Sequence, residues 1–298
     1  MALRTFYDII DQSAKTWPSQ VSFRKRGASG QFPGRTFSEI KRHVDSLTAG
    51  FIAEGIQPGD RVTYLCDSSP NWLIGDCAIT STGAVSVPRG TDVTDEDIKY
   101  ILSHSESRFA LVQREKDKKR LEELKSHFKN LEKVFVLQTE DAELARGKDS
   151  VTELMEKGDA LLAKDPELVS KRVAALDPGA LATLIYTSGT TGSPKGVMLN
   201  QFGWVHAIER VLDRIQFTHN DRAVSLLPPW HAFERAVEYG IVMRGMDFLV
   251  SDIQNLRNDL FEFKPTVFPS VPRIWETVYN GIITKVKKES PASQAIFN

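Results

Sequence analysis

Cysteine is nearly absent from this chain, with only Cys66 and Cys77 in 298 residues. Neither has metal-ligand spacing or a partnering histidine cluster, so both read as buried free thiols in a reducing compartment. A surplus of charge is lacking too, since 38 Lys and Arg against 39 Asp and Glu leave a net charge of -1. No global field gathers nucleic acid or an anionic surface, which excludes a nucleic-acid partner and leaves at most peripheral membrane contact. Long uncharged apolar runs are missing as well: nothing spans a bilayer, and the opening MALRTFYDIIDQSAK has no signal-peptide core, so the expected location is the cytoplasm. No repeat of solenoid period occurs. What the chain does have is 41% apolar content, enough to bury a large core in one big domain or two modest ones.

Helices alternate with short strands along it. Thr36 and Glu39 form a capping box, after which Phe37, Ile40, Val44, Leu47 and Phe51 recur at threes and fours until Gly55. Strands are expected at RVTYL (61–65), GAVSVP (83–88), FALVQ (109–113) and VFVL (134–137), with helices from near Pro70 and from a Thr94 cap. The mixed-sign run REKDKKR (114–120) reads as a solvated helix face. Residues 147–178 are polar and turn-rich and are expected to connect a first lobe, 1–176, to a second, 177–298. The rhythm then resumes with strand LATLIYT (181–187) and a long helix marked by Trp204, Val205, Ile208, Val211, Leu212 and Ile215. Strand AVSLLP (223–228) follows, then a helix over 232–244, strand MDFLV (246–250), a helix over 256–263, strand TVFPSV (266–271) and a last helix from Pro272. The βα alternation predicts an α/β fold with mostly parallel sheets and helices on both faces.

Over 185–197 the sequence reads IYTSGTTGSPKGV. This loop leaves a strand at its carboxyl end, where open α/β sheets bind ligands. Its small residues let backbone amides approach a phosphate, its hydroxyls at Ser188, Thr190 and Thr191 can donate, and Lys195 adds a movable positive charge. Each charge-assisted bond of this kind contributes about 1.5–3 kcal/mol where water is excluded. A Walker loop is excluded, because Lys195 follows Pro194 and precedes Gly196. With so little apolar burial, the loop is expected to be among the least ordered parts of a ligand-free structure.

The stretch resembles the phosphate-loop signature of the adenylate-forming ligases. GIQPGDRVTYL from Gly55, NWLIGDCAITSTGAVSVP from Asn71 and LLPPWHAFERAVEYG from Leu226 resemble that family's successive landmarks. HAFER together with PSVPRIWETVYNGI from Pro269 is most similar to the long-chain fatty acid CoA ligase branch. The resemblance implies the N-terminal portion of that fold and a two-step reaction. ATP and a carboxylate give an acyl-adenylate and pyrophosphate, and the thiol of coenzyme A then takes the acyl group. It implies that the Thr187 hydroxyl approaches Mg²⁺, that Ser188, Gly189, Thr190, Thr191, Gly192 and Lys195 handle the ATP phosphates, and that Lys195 acts in catalysis. It also implies that His231 lines the place where the acyl carboxylate meets the adenylate, orienting it rather than carrying a proton.

Other positions keep two readings. Glu234 either contacts the same pocket or makes an exposed salt bridge to Arg235 or Lys264. Trp204, Phe233, Tyr239 and Phe248 either wall an acyl channel or, as their spacing favours, form ordinary core. The chain departs from the family pattern at NQFG from Asn200, where the family shows Thr-His-Xaa-Asn. Nothing after Pro269 resembles the family's Tyr-Gly-Xaa-Thr-Glu segment, its ribose-binding aspartate or its small C-terminal domain. The expectation is therefore the N-terminal piece of a longer ligase, inactive and self-associating alone. The competing expectation is a non-catalytic binding or scaffold module, or a ligase for a short-chain, aromatic or amino acid.

Overall fold

The computed structural model describes residues 3–187 and 194–288. The chain begins with α1 (Phe6–Thr16) and three two-residue strands, β1 (Val21–Ser22), β2 (Arg24–Lys25) and β3 (Arg35–Thr36). Then come α2 (Phe37–Ala53), β4 (Arg61–Leu65), α3 (Trp72–Ser81), β5 (Val85–Arg89), α4 (Asp95–Ser105), β6 (Phe109–Val112), α5 (Glu115–Glu123) and β7 (Lys133–Val136). Helices α6 (Val151–Leu162) and α7 (Leu168–Ala174) precede β8 (Leu181–Thr187), β9 (Lys195–Asn200) and α8 (Gln201–Leu212). The last elements are β10 (Arg222–Ser225), α9 (Ala232–Met243), β11 (Asp247–Val250), α10 (Leu256–Phe263) and α11 (Pro272–Val286).

Six strands build the main sheet in the order β7-β6-β4-β5-β8-β9, every neighbour parallel except the antiparallel β8–β9 pair. Side chains alternate between its faces: Phe109 and Leu111 of β6 pack with α2 and α3, while Ala110 and Val112 pack with α4 and α5. Both faces are covered by helices, as the sequence predicts. A smaller parallel sheet runs β10-β11-β2, and β1 pairs with β3. Strands from either side of residue 177 share both larger sheets, since β8 pairs with β5 and β11 with β2.

The local signals explain the helices. The Thr36 side chain accepts from the Glu39 amide while the Glu39 carboxylate accepts from Thr36, and Thr94 accepts from Asp97 at 3.1 Å. α3 is buried along its whole length, which its nearly uniform apolar sequence requires. Three expectations are corrected. Residues 147–178 are not merely a turn-rich connection, because α6 and α7 lie within them. α6 crosses α2 so closely that a Cβ on Gly158 would stand 1.9 Å from the Ser46 carbonyl oxygen, and one on Gly50 would stand 2.1 Å from that of Leu154. TVFPSV is no strand: only Val267 bridges to Ala223, and Pro265 and Pro269 remove the donors that would extend the pairing. The helix expected to reach Ile215 ends at Leu212.

Both cysteines are buried and free, and burial pushes both thiols up. Among the described residues, no helix is long and apolar enough to cross a membrane.

Candidate active site

Thr187 is the last residue of β8 and is paired directly with Lys195, the first of β9. Residues opposed in this way hold their Cβ atoms about 4.5–5.5 Å apart, so an exposed hydroxyl and an exposed ammonium stem leave the sheet side by side. One step back, Tyr186 opposes Gly196, where a Cβ would touch the Tyr186 ring at 3.4 Å. Ser188, Gly189, Thr190, Thr191 and Gly192, with the expected looseness of their loop, lie outside the described residues.

His231 stands at the start of α9 as its N-cap, exposed and making no side-chain capping bond. Partial desolvation, and then the charge of Arg89, lower its imidazole pKa against an opposing pull from Asp92. Its neighbour Trp230 presses on the loop after β5, where a Cβ on Gly90 would meet the indole at 2.5 Å. Arg89 links the two regions. Its Nη1 donates to the Tyr186 carbonyl at 3.4 Å, and its Nε has no partner among the described residues. Thr187, Lys195 and His231 thus gather at the carboxyl ends of β5 and β8, the end at which open sheets take ligands.

Glu234 does not join them. It is fully buried, and the hydroxyl of Ser225 at the end of β10 bonds to it and, at 3.3 Å, to Glu238. Of the two readings of Glu234, its burial rules out the exposed salt bridge. Arg235 is also fully buried and instead grips Asp76 of α3 in a bidentate pair at 2.9 and 2.7 Å, donating as well to Thr183 at 2.8 Å. Tyr239 and Ser86 each donate to the same carboxylate at 2.9 Å, which fills its lone pairs. Phe6, Trp72 and Trp204 surround the guanidinium at 5.3–5.8 Å. Trp204, Tyr239 and Phe248 are core residues, while Phe233 is exposed.

Sequence reasoning missed Arg89, Asp76 and Ser225. A cation closing a strand at its carboxyl end was the available signal for Arg89, but nothing local marks a partner of Arg235 that lies 159 positions away. Among the described residues, no group of three or more His, Cys, Asp or Glu could hold a metal ion.

The profile of the AMP-binding enzyme family matches residues 10–295. A chloroplastic long-chain-fatty-acid–[acyl-carrier-protein] ligase of Arabidopsis thaliana is 31% identical over 263 residues, 86% of this chain and 36% of that protein. A long-chain-fatty-acid–CoA ligase of Mycobacterium tuberculosis is 33% identical over 266 residues, 88% of this chain and 43% of that protein. The chain spans less than half the length of these curated relatives. A crystal structure of a long-chain-fatty-acid–CoA ligase from Archaeoglobus fulgidus superposes with a TM-score of 0.78 at 21% identity, over 94% of this chain and 54% of that one. At that identity the superposition carries the fold alone.

Proposed function

The chain belongs to the AMP-binding enzyme family, and from that premise we propose that it supplies the phosphate-handling part of an acid-activating ligase. The substrates are ATP, a long-chain fatty acid and coenzyme A. Acid and ATP form an acyl-adenylate with release of pyrophosphate, and the thiol then takes the acyl group with release of AMP. The observation that carries this reading is the opposed pair Thr187 and Lys195 at the carboxyl end of β8. Pyrophosphate gathers charge as it leaves, so an ammonium and a hydroxyl carried side by side there favour the transition state over the bound substrates. Magnesium, where bound, shares that charge. Partial burial lowers the His231 pKa and so favours its neutral form, and in this reading it orients the carboxylate by hydrogen bonding. The names of the relatives support the long-chain acid as substrate class.

Equilibrium binding of Mg-ATP and of AMP tests this. Lys195→Ala is expected to weaken ATP about tenfold or more, the loss of one charge-assisted contact, and AMP much less, since AMP lacks the β and γ phosphates. Equal losses for both nucleotides would overturn the assignment. Thr187 and Lys195 stand exposed to water, which screens them. These residues alone are therefore expected to give no carboxylate-dependent exchange of labelled pyrophosphate into ATP, and robust exchange abolished by Lys195→Ala would contradict that expectation.

A further inference from the structure

Helix α4 reaches both strands of the β8–β9 pair at the end where they flank residues 188–193. The Tyr100 hydroxyl donates to the Pro194 carbonyl at 3.0 Å, and one turn later His104 Nδ1 meets the Tyr186 hydroxyl at 2.7 Å. Pro194 immediately precedes Lys195, and Tyr186 immediately precedes Thr187. Residues four apart on a helix share a face, and here their rings stack, with centroids 5.2 Å apart. Both rings then meet Tyr186 edge-on, at 6.2 and 5.7 Å. From the neighbouring strand, Arg89 donates to the Tyr186 carbonyl.

The helix that makes these contacts is itself fixed. Thr94 caps it, and Ile98, Ile101 and Leu102 are buried in the core between it and the sheet. Contacts made from such an element hold their geometry better than contacts made from a loop. Tyr186 keeps its hydroxyl proton over the working range, because burial and then Tyr100 push its hydroxyl up to about 12, and the imidazole tautomer sets which of it and His104 Nδ1 donates. Packing alone would need only the faces of these rings. Two polar tips aimed at the two strands of one pair do more than pack.

We propose that Tyr100 and His104 are positioning residues, which set the separation and angle of Thr187 and Lys195 and so the hold on the ATP polyphosphate. The inference rests on the function proposed above. It concerns ATP rather than the adenylate half of the molecule, because that proposed function sets only the β and γ phosphates against this pair.

Tyr100→Phe keeps the ring and removes the bond to Pro194, and Tyr186→Phe cuts the same arrangement at its other end. The 298-residue chain and both variants are titrated with Mg-ATP and with AMP, and their thermal midpoints are measured. Expected is an ATP affinity lowered about two- to tenfold in each variant, the range for one lost hydrogen bond, with AMP affinity and thermal midpoint little changed. A selective ATP loss in whichever variant folds supports the proposal. Equal losses for ATP and AMP, or no loss in either folded variant, overturn it and leave the ligase reading intact. Failure of the unmutated chain to bind ATP would overturn that reading, and the positioning role with it.

Discussion

At Glu234, full burial raises the carboxyl pKa to about 7, with the Ser225 bond opposing the shift. Glu238, one turn on, is pushed well up by burial and then by the charge of Glu234. A carboxyl whose folded pKa lies above its unfolded value adds stability in full below the unfolded value, near 4.5. That stability is lost as pH rises through the folded value. The window here is therefore about pH 4.5 to 7, and integrating a shift of this size gives on the order of 3 kcal/mol as an upper bound. Glu234→Gln is expected to leave the thermal midpoint nearly unchanged at pH 5 and to raise it relative to the parent at pH 8. Parallel pH profiles for the two proteins would show that the pair carries no such cost. The residues around it mark the limit of local reading. HAFER reads correctly as the start of a helix, yet Arg235 takes a partner from α3, and Glu234 turns toward Ser225 rather than solvent. Helical periodicity shows that a face exists, not which strand end it will meet.

The crossing of α2 and α6 depends on two absent side chains. Gly158→Ala would place a methyl group against the Ser46 carbonyl, a backbone atom that cannot move without shifting α2. The expected cost is about 1–3 kcal/mol, read as a lower denaturation midpoint in urea, with nucleotide affinity unchanged because the crossing lies away from β8 and β9. A stability equal to the parent would mean that the helices can slide apart freely. Elements carrying their own start signals were legible: Thr36 with Glu39, Thr94 with Asp97, and the parallel strands between them. α6 carries such a signal too, Ser150 capping to Glu153, but it was passed over among the polar and turn-forming residues around it; α2 supplies the surface that buries its Val151 and Leu154. Strand β9 was missed because it is exposed at the edge of the sheet, with Met198 72% exposed, so no alternation marks it. Of the candidate site, Thr187, Lys195 and His231 were picked out by sequence, while residues 188–193 between the first two lie outside the described residues. The α4 contacts were not, since Tyr100 and Tyr186 stand 86 positions apart and meet only through the sheet.

Across the whole molecule, the unevenly covered part is α11, in which no residue is buried and Trp275, Tyr279 and Ile282 are exposed. A face of this kind in water favours association with a second copy. Sedimentation at rising concentration is expected to show growth in apparent mass, reduced by Trp275→Glu with Ile282→Glu. Unaltered growth in that double variant would move the sticky surface to Ile253 and Phe261, which are exposed as well. The fully buried Asp76–Arg235 pair joins residues 159 positions apart, and that span sets a timetable. At ribosomal speeds of about 5–20 residues per second, Arg235 emerges roughly ten to thirty seconds after Asp76, the time taken to make the 159 residues separating them. Throughout that interval α3 can bury its carboxylate only without a counter-charge, which is strongly unfavourable. The expected consequence is that α3 docks with an ionised Asp76 only once α9 has left the exit tunnel.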